Sequence, residues 1–297
     1  MYELIKSFEQ PQAHIYHGDC IEIMRCTREA AGGGCYDLVF GDPPFNIGVE
    51  YEGKVDDRRS LDEYEQFTFD WMHAACCLLK PAGRLVVHVP DECLEAVFLA
   101  RRRIGITRTQ HIVWHYRFGQ SCKSRFVPSK CHQLVFQHTR DDEIWGYDDL
   151  LVPCDRARKY NDKRTLETAE PGMRLPFDVW GADVDTFADY ELPGDGEYWA
   201  RVMGSSLERR SLHPNQLPER LLERNLRAYT RAGSWVFDPF GGSGTTITVA
   251  RAMNRNCVTC DQSIEYCKSI ADRVARGSVR IKEHKGADHE HNNQLAS

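Results

Sequence analysis

Several features that define other classes of protein are absent from this sequence. No apolar run approaches the roughly 20 residues that a membrane-spanning helix needs. The first ten residues include Glu3, Lys6 and Glu9 and do not have the pattern of a secretory signal peptide. We therefore expect a protein of the cytoplasm with no membrane partner. Its 297 residues are enough to bury a large core.

Acidic residues are missing from one long stretch of the chain. Between Ala96 and Arg140 there is no Asp or Glu, and nine Lys and Arg residues give this basic block a charge of +9. The whole chain carries −6, so the remaining residues sum to −15. This asymmetry favours a basic surface that binds a polyanion. The competing interpretation is a set of solvated faces whose charges cluster by chance.

The cysteines do not have the spacing of a zinc site. Among twelve cysteines, Cys257 and Cys260 form a CxxC pair, but no second pair follows at the distance that zinc sites use. Cys122, Cys131 and His132 are the other ligands that one can imagine. We predict reduced thiols and no bound metal.

Apolar runs and helical spacing alternate along most of the chain. Tyr36–Phe40 and Arg84–Val89 are typical of buried strands, whereas Leu61–Lys80 and Leu217–Tyr229 have the spacing of helices. Strands that alternate with helices indicate an α/β fold whose parallel sheet is covered on both faces. We also predict strands at residues 15–16, 110–116, 134–137, 234–237 and 257–260, and helices at 21–30, 91–103, 245–254 and 264–276.

A glycine-rich loop, Asp238-Pro-Phe-Gly-Gly-Ser-Gly244, lies between a predicted strand and a predicted helix. This combination is typical of a site for a nucleotide-like ligand, and Asp261 at the end of the next strand suits ribose hydroxyls. No Lys follows the loop, so a Walker phosphate loop is disfavoured. Ile247 stands where the dinucleotide fingerprint has its third small residue, so a nicotinamide cofactor has weak support. A purely structural glycine turn is the remaining interpretation.

A second loop, Asp42-Pro43-Pro44-Phe45, follows the predicted strand Tyr36–Phe40. Asp42 offers a carboxylate acceptor, and the prolines stiffen the backbone and lack an N–H, so their carbonyls face no competing donor. Phe45 offers a flat face for stacking. Together these residues suit an exocyclic amino group on an aromatic ring. The structural alternative is a proline-terminated strand followed by a buried Phe.

The two loops together resemble those of the S-adenosylmethionine-dependent amino-group DNA methyltransferases. The similarity extends to His213–Pro218 and to the segment from Arg158 to Trp180, and so covers most of the chain. Because the first loop precedes the glycine loop, the order is similar to the β-type permuted group. The resemblance implies a Rossmann-like, doubly wound, mostly parallel sheet of the class I methyltransferases, with an irregular target-recognition insertion.

The resemblance also implies roles for individual residues. Asp42 and the carbonyl of Pro43 would hold the target amino group, Phe45 would stack on the base, and Pro44 completes this catalytic loop. The family more often has Tyr at the position of Phe45, a difference that removes a hydroxyl and keeps the stacking face. The residues implied in binding S-adenosylmethionine are Asp19, Cys20, Asp42, Asn215, Gln216, Asp238, Phe240, Gly242, Gly244, Thr245 and Asp261.

The reaction implied by the resemblance is methyl transfer to the exocyclic N6 of adenine in double-stranded DNA. The base must first be flipped out of the helix. An Asp at the first loop position favours adenine within the family, whereas Ser is commoner for cytosine. Cytosine N4 is the first alternative. An RNA methyltransferase and a DNA-binding homologue without activity are the others.

This interpretation divides the chain into four parts. Residues 1–118 form the catalytic half of the core, 119–199 its end and the target-recognition insertion, 200–278 the cofactor-binding half, and 279–297 a disordered tail. The basic block is expected to grip DNA phosphates beside the catalytic edge of the sheet. The expected DNA contacts are Arg117, Lys123, Arg125, Lys130, Arg158 and Lys159. The recognition sequence, a homodimer and a cognate restriction endonuclease stay open, and the nucleoid of a prokaryote or phage-infected cell is the expected location.

Overall fold

A nine-stranded mixed sheet is the centre of the fold. The computed structural model describes residues 2–48, 50–51, 55–115, 130–137, 152–153, 173–174, 178–180, 202, 206–209, 213 and 215–281. In chain order the strands are β1 (Glu3–Phe8), β2 (Ala13–His17), β3 (Tyr36–Gly41), β4 (Glu50–Tyr51), β5 (Val55–Asp56), β6 (Leu79–Val89), β7 (Arg108–His115), β8 (Lys130–Gln137), β9 (Val152–Pro153), β10 (Met173–Arg174), β11 (Val179–Trp180), β12 (Trp235–Asp238) and β13 (Asn256–Asp261).

The strands of the sheet follow the order β1-β2-β13-β12-β3-β6-β8-β7-β11. The central strands β2, β13, β12, β3 and β6 pair in parallel, and β11 pairs in parallel with β7. β1 and β8 run antiparallel to their neighbours. The short strands β4 with β5, and β9 with β10, form two separate ladders. The prediction of a mostly parallel, Rossmann-like α/β sheet is confirmed.

Helices cover both faces of this sheet. One face packs against the first three helices through buried residues such as Met24, Trp71 and Val97, and the other packs against the last three through Leu222, Ile247 and Ile270. The helices are α1 (Cys20–Ala31), α2 (Leu61–Leu78), α3 (Leu94–Ile104), α4 (Glu219–Tyr229), α5 (Thr245–Ala252) and α6 (Ile264–Arg276).

Strand β6 shows why the sheet has two buried faces. Successive side chains of a strand point to opposite sides, so Leu85 and Val87 enter one hydrophobic core while Val86 enters the other. All three side chains are fully buried. Burial of an aliphatic side chain of this size contributes about 1.5–3 kcal/mol, which is why an apolar run without polar alternation forms a central strand.

The helix boundaries follow from local capping. Asp19 caps α1 by accepting a hydrogen bond from the backbone N–H of Glu22, at 2.9 Å. Ser60 and Glu63 form a reciprocal capping box at the start of α2. At the other end of α1, Gly32 adopts a left-handed conformation with φ of 69°, which glycine adopts without steric cost.

Two of the differences from the predicted elements have a clear physical reason. Helix α2 ends at Leu78, because Leu79 and Lys80 already belong to β6. Edge strand β1 was not predicted, because its side chains are mostly exposed and its apolar residues do not form a buried run. An edge strand needs only backbone pairing on one side, which leaves little signal in the side chains.

Candidate active site

The catalytic loop and the glycine loop meet at one edge of the sheet. Strands β3 and β12 are parallel neighbours, with Leu38 beside Val236 and Val39 beside Phe237. Loop 42–45 follows the carboxyl end of β3, and loop 238–244 begins with the last residue of β12. Both loops line one cavity of about 270 Å³. Ligands of open α/β sheets bind at this edge.

The glycine loop is fixed by backbone hydrogen bonds to the neighbouring strand. The N–H of Gly241 donates to the carbonyl of Cys260 at 2.8 Å, and the N–H of Gly242 donates to the Asp261 carboxylate at 2.9 Å. Gly242 and Gly244 have φ values of 48° and 73°. A Cβ on Gly241 would stand only 2.7 Å from Oγ1 of Thr259. The loop therefore requires glycine both for its conformation and for its close approach to β13.

Asp261 ends β13 and lines the cavity beside this loop. One carboxylate oxygen accepts from Gly242, and the other accepts from the N–H of Ser263 at 2.8 Å. These two bonds set the direction of the side chain. Its place at the end of the strand after the glycine loop is the one expected for a residue that binds ribose hydroxyls.

Asp42 presents a buried acceptor to the cavity. Its Oδ1 atom is buried and has no hydrogen-bond partner among the described residues. Burial raises the pKa of Asp42 well above its usual value, and the negative charge of Asp238 raises it further. A buried carboxylate oxygen without a partner is costly, so this atom can accept a hydrogen bond from a donor that enters the cavity.

Asp238 is the second buried carboxyl group of the site. Burial raises its pKa to about 6, although hydrogen bonds from Thr246 and from the N–H of Phe240 lower it. The Phe240 bond is 3.0 Å long and bends the backbone into the glycine loop. Asp238 thus shapes the loop and places a negative charge near Asp42.

Two side chains from the helical layer hold the catalytic loop. The hydroxyl of Tyr64 donates to the carbonyl of Pro44 at 3.0 Å, and the thiol of Cys93 donates to the carbonyl of Phe45 at 3.3 Å. These bonds engage the second and third carbonyls that follow Asp42. The carbonyl of Pro43 is not among the acceptors of these two bonds, and its role toward an amino group stays a prediction.

Aromatic rings support Phe240 of the glycine loop. The ring of Trp71, which is fully buried, lies edge-on to Phe240 with 5.3 Å between centroids, and Phe67 lies 6.2 Å away. A Cβ on Gly41 would come within 2.9 Å of Trp71. Arg59 places its guanidinium 4.3 Å from the centroid of Phe67. Helix α2 therefore fixes the wall that joins the two loops.

The structure brings most of the predicted site residues to the cavity wall. Three of them stand apart from it: Asp19 is exposed and caps α1, Gln216 is buried and donates to the carbonyl of Glu208 at 2.6 Å, and Gly244 packs beside Ile270. Their contacts with a cofactor stay predictions. The predicted residues that line the cavity are Cys20, Asp42, Pro43, Pro44, Phe45, Asn215, Asp238, Phe240, Gly242, Thr245 and Asp261.

The cavity also includes residues to which no role was predicted, among them His213, Tyr266, Asp57 and Arg59. His213 lies 5.1 Å from the ring of Tyr266, and burial lowers its pKa to about 4, so it is neutral at pH 7. His213 begins the His213–Pro218 motif and was detectable there. Asp57 and Arg59 stand between a short hairpin and α2, where no periodic pattern marks them.

The predicted DNA contacts are only partly within the described chain. Arg117, Lys123, Arg125, Arg158 and Lys159 lie outside the described residues. Lys130 begins β8 and pairs with His115 at the carboxyl end of β7. That end of β7 is level with the carboxyl end of β6, because His132 pairs with both Val113 and Val89. The described residues on either side of residues 116–129 therefore lie at the catalytic edge.

The first part of the basic block lies elsewhere, which corrects our hypothesis that the whole block faces the catalytic edge. Arg108 starts β7 and pairs with Gln137, which in turn pairs with Arg84, the residue of β6 that lies farthest from the carboxyl end among those paired with β8. Helix α3 runs back from the carboxyl end of β6, so Arg101, Arg102 and Arg103 end at this opposite edge. Strand β7 runs from this edge to the catalytic edge, and it therefore separates Arg101–Arg108 from Lys130.

The CxxC pair belongs to the two cores. Cys257 and Cys260 are both buried, but they lie in the cores on opposite faces of the sheet. Three residues along a strand change the face, so these sulfurs do not converge. In the part of the chain that the structure describes, no three His, Cys, Asp or Glu side chains are grouped as metal ligands. The described helices likewise include none that is long and apolar enough to cross a membrane.

Comparison with known proteins assigns this architecture to a family. The family model described as DNA methylase, of the N6/N4 methyltransferases, matches residues 36–272. The chain belongs to the DNA methylase family. This DNA methylase is 28% identical over 262 residues to the DNA adenine methyltransferase YhdJ of Escherichia coli K12, covering 86% of this chain and 80% of YhdJ. It is 26% identical over 239 residues to the type II methyltransferase M.HpaI of Haemophilus parainfluenzae, covering 80% and 68%. The prediction of a DNA methyltransferase is confirmed.

Solved structures share the fold of this DNA methylase. The complex of M1.HpyAVI with S-adenosylmethionine superposes with a TM-score of 0.57 at 18% identity, covering 88% of this chain and 98% of that one. The cytosine-N4-specific PvuII DNA methyltransferase gives 0.62 at 17% identity, covering 92% and 89%. At these identities the likeness establishes the class I methyltransferase fold.

Proposed function

We propose that this DNA methylase moves a methyl group from S-adenosylmethionine to N6 of an adenine that is flipped out of double-stranded DNA. The observation that carries the proposal is the buried, unpartnered Oδ1 atom of Asp42 in the cavity that the glycine loop lines. An exocyclic amino group is a donor that satisfies such an acceptor. The name of its relative YhdJ, a DNA adenine methyltransferase, supports adenine as the base.

The cavity fits S-adenosylmethionine in charge. Its wall includes the carboxyl groups of Asp42, Asp57, Asp238 and Asp261, which suit a ligand with a sulfonium and an ammonium group. A Cβ on Gly242 would stand 3.3 Å from His213, which also lines the cavity, so a side chain there would crowd the wall. In this proposal Asp261 binds the ribose, while Phe240, Gly242 and Asn215 hold the remainder of the cofactor. When bound, the cofactor supplies a methyl group already activated by its positive sulfur.

The residues of the chain contribute orientation and charge. An amino nitrogen on an aromatic base is a poor nucleophile, because its lone pair is delocalised into the ring. Asp42 and the carbonyl of Pro43 accept its two hydrogens, which favours a pyramidal nitrogen and stabilises the positive charge that develops there. Phe45 stacks on the base and holds the nitrogen in line with the methyl group. The raised pKa of Asp42 makes its carboxylate a stronger proton acceptor than an exposed one.

We also infer the permuted β-type arrangement. Loop 42–45 precedes loop 238–244 along the chain, although their strands are neighbours in the sheet. This order supports the β-type group. The type II names of relatives such as M.HpaI support a restriction partner, and growth of a host carrying that endonuclease only when this DNA methylase is co-expressed would test it.

The test is to identify, by mass spectrometry, the methylated nucleosides in DNA treated with the protein and methyl-labelled S-adenosylmethionine. Labelled N6-methyladenine is the expected product. Labelled N4-methylcytosine would show that cytosine, and not adenine, is the target base. Label found only in RNA would show that DNA is not the substrate. Sequencing of the methylated positions in the same DNA then gives the recognition site.

Substitution of Asp42 tests its assigned role. We expect Asp42→Ala to abolish methyl transfer and to leave cofactor binding, measured by calorimetry, in place. Asp42→Asn keeps the volume and loses the charge, and the weaker electrostatic stabilisation is expected to reduce kcat about 100-fold or more. Turnover at the wild-type rate in Asp42→Ala would refute the assignment.

A further inference from the structure

An ion pair lies buried behind the glycine loop. Arg273 of α6 and Glu219, the first residue of α4, have exposed fractions of 1% and 0%, and Nη2 of Arg273 lies 3.2 Å from Oε1 of Glu219. Desolvation offsets most of the attraction within such a pair. The net stabilisation by this pair therefore depends on the other hydrogen bonds that Arg273 and Glu219 make.

Arg273 holds the glycine loop itself. Its Nη1 donates to the carbonyl of Ser243 at 2.9 Å and to Oγ1 of Thr245 at 2.8 Å. Thr245 in turn donates to the carbonyl of Leu217 at 3.3 Å. Ser243, Thr245 and Leu217 all line the cavity, whereas Arg273 does not. The guanidinium thus binds residues of the cavity wall on the side that faces away from the cavity.

Glu219 connects this wall to the segment after α6. Its carboxylate accepts from the hydroxyl of Ser278 at 2.6 Å and from the N–H groups of Val279 and Arg280, both at 3.1 Å. Arg280 also pairs with Glu208, which accepts from the N–H of Glu219. We call residues 278–281 the latch. The described chain thus packs onto α4 three residues past the boundary predicted at 278.

We propose that Arg273 and Glu219 are positioning residues for S-adenosylmethionine, and that the latch sets cofactor affinity through them. The proposal rests on the function proposed above. The glycine loop has two residues with positive φ and few side chains of its own, so its conformation needs external support. Arg273 supplies that support at Ser243 and Thr245, and Glu219 joins it to the first turn of α4, which follows Leu217 of the cavity wall. With the latch in place, the loop is preorganised and binding costs less conformational entropy.

The first test compares cofactor affinity of the full chain and of Arg273→Lys by calorimetry. A lysine offers a single ammonium where the guanidinium spans three acceptors, so one or more bonds are lost. We expect the Kd for S-adenosylmethionine to rise about tenfold, equal to about 1.4 kcal/mol. The kcat at saturating cofactor and the KM for DNA should stay at their wild-type values, a split that general loss of structure does not produce.

Arg255→Lys is the matched control. Arg255 is also buried, at 8% exposure, and donates to the backbone and hydroxyl of Thr230 and to the carbonyl of Met253, away from the cavity. It should lower the thermal stability and leave the Kd unchanged. If Arg255→Lys weakens cofactor binding as much as Arg273→Lys does, the effect is structural and the proposal is overturned.

Ser278→Ala provides a milder test in case Arg273→Lys does not fold. It removes one hydrogen bond from Glu219 and leaves the ion pair, so the Kd should rise about threefold to tenfold. Ser234→Ala, which removes an acceptor for the N–H of Arg231, is its control. An unchanged Kd in Ser278→Ala overturns the role of the latch. Failure of the wild type to bind S-adenosylmethionine would instead overturn the proposed function.

Discussion

Asp42 and Asp238 are two buried carboxyl groups of the site, and their charges affect each other. Each is buried, and the charge of Asp238 adds to the effect of burial on the pKa of Asp42. In the proposed mechanism, an ionised Asp42 is the form that accepts a hydrogen of the amino donor beside the carbonyl of Pro43. Acidification through its raised pKa therefore removes the acceptor, so activity is lost at a higher pH than for an ordinary carboxylate.

Asp238→Asn should move this acid limb. Without the negative charge of Asp238, the pKa of Asp42 falls, and the lower limb of the pH profile of kcat/KM shifts to lower pH. The amide oxygen of Asn still accepts from the N–H of Phe240, which preserves the loop. Asp37→Asn, at the opposite edge beside Lys80, is the control and should leave the limb in place. A shift to higher pH would contradict the proposed coupling.

At the scale of elements, the turn after the catalytic loop fixes the start of α2. Asn46 has a φ of 59°, accepts from the N–H of Arg59 at 2.5 Å and donates to its carbonyl at 3.1 Å. The N–H of Gly48 donates to Asp57 at 2.6 Å. These bonds bring Asp57 and Arg59 to the cavity. A short loop thereby joins the catalytic residues to the helix that supports Phe240.

Asn46→Ala should lower both kcat/KM for methyl transfer and Tm. The substitution loses both bonds to Arg59 and places Ala in a left-handed conformation, at a cost of about 1–3 kcal/mol. Asn254, with a φ of 64°, has the same conformation at the opposite edge of the sheet. Asn254→Ala should therefore lower Tm by a similar amount and keep kcat/KM. Equal losses of activity in both variants would contradict a role for the Asn46 turn.

Elements with a regular apolar pattern could be predicted from the sequence, and others could not. Helix Ile264–Arg276 was predicted with the observed bounds, because its apolar residues face one core. Within that helix, however, Arg273 has the appearance of a solvated charge. Its burial depends on Glu219, more than 50 residues away, and local periodicity does not report such a pairing. The Asn46 turn was missed for the same reason.

At the scale of the whole molecule, charge is divided between two edges of the sheet. His115 and Lys130, which flank residues 116–129, lie at the catalytic edge, whereas Arg101–Arg103 lie at the opposite one. The two site loops could be predicted because each is a contiguous motif. The order of the strands, which decides where each charge lies, depends on pairings between distant segments.

Charge reversal separates the two groups of basic residues. Lys123→Glu with Arg125→Glu should weaken DNA binding at low salt and reduce the slope of log K against log salt by about 1 for each phosphate that is no longer neutralised. Arg102→Glu, on the exposed end of α3, should leave both quantities unchanged. Titrations of fluorescent duplex DNA at several salt concentrations provide the measurement. Equal effects in all variants would mean that net charge, and not position, governs affinity.

The sheet order also has a consequence for synthesis on the ribosome. Strands β2 and β3 are separated in the sheet by β13 and β12, which are translated about 200 residues later. Until residue 261 has emerged, the nascent chain holds β2 and β3 with unpaired edges, which are templates for aggregation. The floor of the cavity is completed by the same late strands. We therefore expect a translation-arrested fragment that ends before residue 235 not to bind S-adenosylmethionine.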